Sequence, residues 1–116
     1  MKRALIVNNS ASERRSIKKL LENSGFVVVG EAENGLRGIK FYHELNPDFV
    51  TMDISMPELD GIETLKIIKK IDKDARIFII ASSDHEQKVQ EAMESGAVGF
   101  ILKSFSETKD ECKKNK

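Results

Sequence analysis

The chain has 116 residues, of which 40% are hydrophobic and 33% charged, enough for one domain with its own core. Its 19 basic residues balance its 19 acidic ones, which argues against general nucleic-acid binding, since that function leaves a basic excess. No apolar run approaches the ~20 residues that cross a bilayer, and Cys112 is the only cysteine, so no internal disulfide can form.

The apolar stretch after Met1-Lys2-Arg3 stops at Asn8-Asn9, short of the ~7–15-residue core of a signal peptide. A cytoplasmic protein with a single domain over residues 1–116 is the expectation. Arg3 to Val7 reads as a strand, ended by Asn8-Asn9-Ser10. Ser12 is the expected N-cap of a helix to Asn23, with Ile17, Leu20 and Leu21 on one stripe and Gly25 as its stop. Phe26 to Val29 forms a second strand. Asn34-Gly35 opens a second helix, with Leu36, Ile39, Phe41 and Tyr42 as apolar positions, and Asn46-Pro47 closes it. Phe49 to Asp53 is a third strand. Asp60-Gly61 leads into a third helix carrying Ile62, Leu65, Ile68 and Ile71. Ile77 to Ala81 is a fourth strand, and Ser83 or Asp84 caps a helix with Val89, Ala92, Met93 and Gly96 on one face. Val98 to Leu102 is a fifth strand, and Ser106 caps a last, apolar-poor helix to about Asn115. Strands alternating with helices, with strands that are apolar almost throughout, fit a parallel sheet covered on both faces.

Asp53 then stands at the carboxyl end of a buried strand, where open α/β sheets place their ligand crevice. A carboxylate there is a candidate nucleophile or metal ligand. The loop Asp53-Ile54-Ser55-Met56-Pro57-Glu58-Leu59-Asp60-Gly61 resembles the phosphoacceptor loop of the response-regulator receiver domain, the CheY-like family. Leu5 to Ser10 resembles that family's first strand and the acidic pair after it. Glu91 to Ala97 resembles the end of its fourth helix, and Phe100 to Phe105 its last strand and lysine. The match runs from Leu5 to about Phe105.

The resemblance implies a doubly wound, five-stranded, flavodoxin-like sheet. It implies a two-component phosphorelay module in which Asp53 accepts a phosphoryl group from a sensor histidine kinase or phosphotransfer protein. Lys103 would contact the phosphoryl oxygens, and Mg²⁺ would be held by Asp53, the Ser55 carbonyl, Asn9 and Asn8. The module would not be a conventional enzyme. Its activity would be partner-dependent phosphoacceptance with slow self-dephosphorylation. The output would be a contact with a downstream effector through the fourth helix and fifth strand, around Gln87, Gln90, Glu94 and Phe100.

The chain departs from the family pattern at several positions. Neutral Asn8 and Asn9 stand where the family has two acidic residues, so weak Mg²⁺ binding is expected, with Asp53 and Lys103 free to pair directly. Ala81 takes the place of a Ser or Thr. Ser82, the candidate replacement, falls one residue later, where strand alternation points it the other way unless the strand bulges. Ser104 follows the lysine in place of proline, and a cis bond there would cost ~2.5–4 kcal/mol. The family's switching aromatic maps to Phe100. His43 and His85 read as isolated, exposed helix residues. A second reading is therefore a phosphorylation-independent pseudo-receiver, an interaction module only. A third, a flavin or nucleotide binder, ranks lower because no glycine-rich cradle follows the first strand. The thin last helix raises the expectation of a longer parent chain, or of burial by homodimerisation.

Overall fold

Each strand of the computed structural model follows a run of apolar or β-branched residues, and each connection rises through a helix to the next parallel strand. The structure describes residues 2–56, 58–82 and 84–103. In chain order the elements are β1 (Arg3–Val7), α1 (Ala11–Asn23), β2 (Val27–Ala32), α2 (Gly35–Leu45), β3 (Phe49–Asp53), α3 (Gly61–Ile71), β4 (Ile77–Ala81), α4 (Glu86–Glu94) and β5 (Gly99–Leu102). The five strands form one sheet in the order β2-β1-β3-β4-β5, parallel throughout. The order reverses direction at β1, and this reversal opens a crevice above the carboxyl ends of β1 and β3.

Alternation along β1 sorts the core into two layers. Leu5 and Val7 join Val50, Met52, Ile77 and Ile79 beneath α2, α3 and α4. Ala4 and Ile6 face the other way, onto Ile17 and Leu21 of α1. On the α1 side Phe26, just before β2, Phe49 of β3 and Phe78 of β4 stack edge to face, with centroids 5.1 and 5.8 Å apart. The expected doubly wound parallel fold is therefore the one observed.

Several boundaries differ from expectation. α1 begins one residue after Ser10, whose hydroxyl accepts from the Glu13 N–H, so Ser10 and not Ser12 is the N-cap. β2 runs on to Ala32 because Val29 bulges: Ala4 pairs with Val28 and Leu5 with Gly30. α4 starts after His85, which gives no side-chain cap bond, so the cap expected at Asp84 gives way to His85, while Ser83, the other cap expected, lies outside the described residues. Leu20, Leu36, Ile71 and Met93, expected on buried stripes, are exposed. The expected helix from Ser106, Cys112, and the Lys103-Ser104 bond lie outside the described residues.

Two turns fix the chain, one at the far end of the sheet from the crevice and one beside it. Gly25 takes φ +91° just beyond the end of α1, where a side chain would be strained. Asp60 caps α3: its Oδ1 accepts from the Glu63 N–H at 2.9 Å, and its carbonyl accepts from the Thr64 hydroxyl at 2.8 Å. Gly61 N–H returns to the Ile54 carbonyl at 3.3 Å, closing the loop from β3.

Candidate functional site

Asp53 is the last residue of β3, paired in register with Ile80 of β4, and only 2% of it is exposed. β3 lies inside the sheet between β1 and β4, so its end is hidden by neighbours on both sides. A carboxylate so placed needs partners for its charge. The Ser55 N–H donates to its Oδ1 at 3.3 Å, and the Lys103 ammonium lies 3.4 Å from the same oxygen. Burial pushes the Asp53 carboxyl above its ordinary range, while Lys103 and the Ser55 N–H pull it back and Glu13 adds to the rise.

Lys103 follows β5 directly. Its N–H donates to the Ala81 carbonyl at 2.7 Å, so the β4–β5 ladder sets where its side chain begins. The ammonium then meets two carboxylates, Asp53 and, at 3.4 Å, Glu13. Glu13 comes from the first turn of α1 and was not among the residues expected from the sequence. A glutamate in a first turn ordinarily needs no partner beyond the helix dipole. The signal that could have found it is position, because the first turn of α1 sits directly after the end of β1.

Asn8 and Asn9 separate. Asn8 is fully buried and its amide is committed at both ends: Oδ1 accepts from the Ser10 N–H at 2.8 Å, and Nδ2 donates to Glu13 Oε1 at 3.1 Å. Arg14 secures the same turn by donating to the Asn8 carbonyl at 2.7 Å. Asn9 is exposed. Ser82 makes no hydrogen bond to Asp53 or Lys103. Its hydroxyl bonds Asp84 Oδ1 at 2.6 Å and His85 Nδ1 at 3.2 Å. His85 is thus half-buried and partnered, not isolated, whereas His43 is exposed. Phe100 is half-exposed on β5.

The structure brings together Asp53, Lys103, Asn8 and the Ser55 N–H, adds Glu13, and leaves Asn9 and Ser82 facing other partners. Chemically this is a buried oxygen nucleophile beside a fixed ammonium, an arrangement suited to attack on an electrophilic phosphorus. The donor set does not fit a tightly held Mg²⁺. Asp53 is already paired with a cation, the Asn8 oxygen is turned to Ser10, and Mg²⁺ prefers carboxylates in near-octahedral array. Among the described residues no group of three His, Cys, Asp or Glu side chains is placed to hold a metal.

Comparisons with known proteins point to one family. Residues 4–111 match the response regulator receiver domain family. The chemotaxis protein CheY of Bacillus subtilis is 48% identical over 103 residues, 89% of this chain and 86% of its own length. The CheY of Thermotoga maritima is 44% identical, over 90% of this chain and 87% of its own length. Among solved structures, the response regulator domain of Thermotoga maritima CheB superimposes with a TM-score of 0.84 at 35% identity, covering 99% of this chain and 92% of that one. The CheX-CheY-BeF3-Mg²⁺ complex from Borrelia burgdorferi gives 0.81 at 35% identity, covering 88% and 78%.

Proposed function

This chain belongs to the response regulator receiver family of two-component signalling, and from that premise we propose that Asp53 accepts a phosphoryl group and that the signal leaves by protein–protein contact. The observation that carries the proposal is the buried Asp53 carboxylate held 3.4 Å from the Lys103 ammonium at the end of β3. An Asp53 oxygen attacks the phosphorus of a phosphohistidine on a sensor kinase or phosphotransfer protein. The P–O bond forms, the P–N bond breaks with its electron pair passing to the imidazole, and a proton from solvent lets that ring leave neutral. The product is an acyl phosphate. Lys103 offsets charge on the phosphoryl oxygens as a compact cation with three donors.

Asn8 and Asn9 make this an atypical receiver on our reading, because they replace the acidic pair with amides that carry no charge. Mg²⁺ is accordingly expected to bind weakly, and no step here runs through it. The β4–α4 turn also differs, since Ser82 spends its hydroxyl on Asp84 and His85. The output surface would be the exposed Gln87, Gln90, Glu94 and Phe100 of α4 and β5, beside a half-open apolar groove lined by Val89, Met93 and Leu102. The CheY of the Borrelia burgdorferi complex is bound to a protein partner, which makes an effector of this kind a natural expectation.

Acetyl phosphate or a cognate kinase should add one phosphate to the chain, as read by intact mass. The label should vanish in Asp53→Asn. An unlabelled wild-type chain under both conditions would overturn the proposal in favour of a phosphorylation-independent interaction module.

A further inference from the structure

The charge arrangement around Lys103 goes beyond a nucleophile and its counter-ion. Glu13 Oε1 touches the Lys103 ammonium at 3.4 Å and accepts from Asn8 Nδ2 at 3.1 Å. Both members of the Glu13–Lys103 pair are screened from solvent, with side chains 21% and 20% exposed. A glutamate acting only on the helix dipole would point into water. This one is turned sideways into the pocket, its backbone N–H held by Ser10 Oγ at 3.2 Å.

Asn8 is matched to this glutamate. Its oxygen supports the Ser10 N–H, and its nitrogen supplies the donor that Glu13 requires. An aspartate at position 8 could do the first and not the second, and would set a carboxylate against a carboxylate. The pocket therefore holds two anions, Glu13 and Asp53, on either side of a single ammonium.

We propose that Glu13 is a positioning residue that holds the Lys103 ammonium between itself and Asp53, so that this ammonium occupies the pocket's cation position in place of a divalent ion. The inference rests on taking the Asp53 pocket as the receiver site, but not on Asp53 becoming phosphorylated.

The test uses Mg²⁺ alone, titrated into the full chain and followed by backbone amide shifts of Asp53 and Ser55. Wild type should respond weakly. Lys103→Met exposes two unneutralised carboxylates, and losing a positive charge at roughly 5 Å should tighten Mg²⁺ by about tenfold or more. Adding Glu13→Gln to Lys103→Met should cancel that gain. No gain in Lys103→Met overturns the proposal, as does a gain that survives Glu13→Gln, which would leave Glu13 a helix-end charge only. The same spectra report folding of each variant. A second measurement is a urea double-mutant cycle between Glu13→Gln and Lys103→Met. Unfolding constants should depart from the product of the single effects by about three- to tenfold, and strictly multiplicative behaviour would contradict the contact. Neither arm uses phosphate. Failure of acetyl phosphate labelling would therefore remove the phosphoacceptor reading and leave this one standing.

Discussion

Gly61→Ala should damage the fold and the site together, because the missing β-carbon is where the backbone of β3 passes. A Cβ built on Gly61 would lie 2.8 Å from Ile54 Cα and 3.0 Å from the Asp53 carbonyl carbon, and closer still to the Asp53 carbonyl oxygen. All of these are backbone atoms of a buried strand end, so none can rotate away as a side-chain tip would. Overpacking ordinarily costs ~1–3 kcal/mol, and a clash with fixed backbone belongs at the top of that range, about 3 kcal/mol. For a domain of this size that lowers the melting temperature by roughly 10 °C. Gly25→Ala is the control. It has φ +91° but nothing within 4 Å of the added carbon, so it carries only the conformational cost, about 1–2 kcal/mol. Urea unfolding of both variants gives the two stabilities. Acetyl phosphate labelling under native conditions then reads the site: Gly61→Ala should label slowly even where it is folded, and Gly25→Ala should label like wild type. The reasoning fails if Gly61→Ala is the more stable of the two and labels normally.

The Asp53 carboxyl is raised above its ordinary value by burial, with Lys103 opposing, so the native chain keeps that proton to higher pH than the unfolded chain does. Stability should fall as pH rises from the ordinary aspartate range through the raised native value, and Asp53→Asn should flatten that portion of the profile; superimposable urea-midpoint profiles for the two proteins would contradict it. Asp60→Ala removes the acceptor of the Glu63 N–H at the start of α3 and should cost about 1 kcal/mol in urea, with Asp60→Asn close to wild type; an alanine variant as stable as wild type would show that the cap contributes nothing.

The strands were legible wherever apolar residues ran without interruption. β1, β3 and β4 fall on the residues that the pattern marks, because a strand buried on both faces announces itself by composition. β2 was read short, since Gly30 and Glu31 break its apolar run while the ladder to β1 continues through the Val29 bulge. Leu36 and Ile71 kept helical spacing yet stayed exposed, because spacing states which face a residue shares and not how far the neighbouring layer extends. In the candidate site, the placement of Asp53 and Lys103 was legible because one ends β3 and the other directly follows β5. The commitment of Asn8 to Ser10 and Glu13, and of Ser82 to Asp84 and His85, depends on local turn geometry that residue identity does not encode. Glu13 was missed because its contact comes from the Lys103 side chain reaching back from the end of β5 to the first turn of α1, a proximity created only when β3 and β4 assemble between β1 and β5.

β5 has four residues, Gly99–Leu102, alternately half-buried and exposed, and its described ladder runs along β4 alone. The centre of the sheet exchanges its amides only through global unfolding, whereas a short outer strand can peel away in a smaller, cheaper opening. Lys103 rides on that strand, while Asp53 and Glu13 are anchored elsewhere. One local excursion would thus withdraw the ammonium and leave the two carboxylates where they stand. The electrostatic state of the pocket is thereby tied to the protection of a single peripheral strand, and it can change over a free-energy range in which the rest of the domain remains intact.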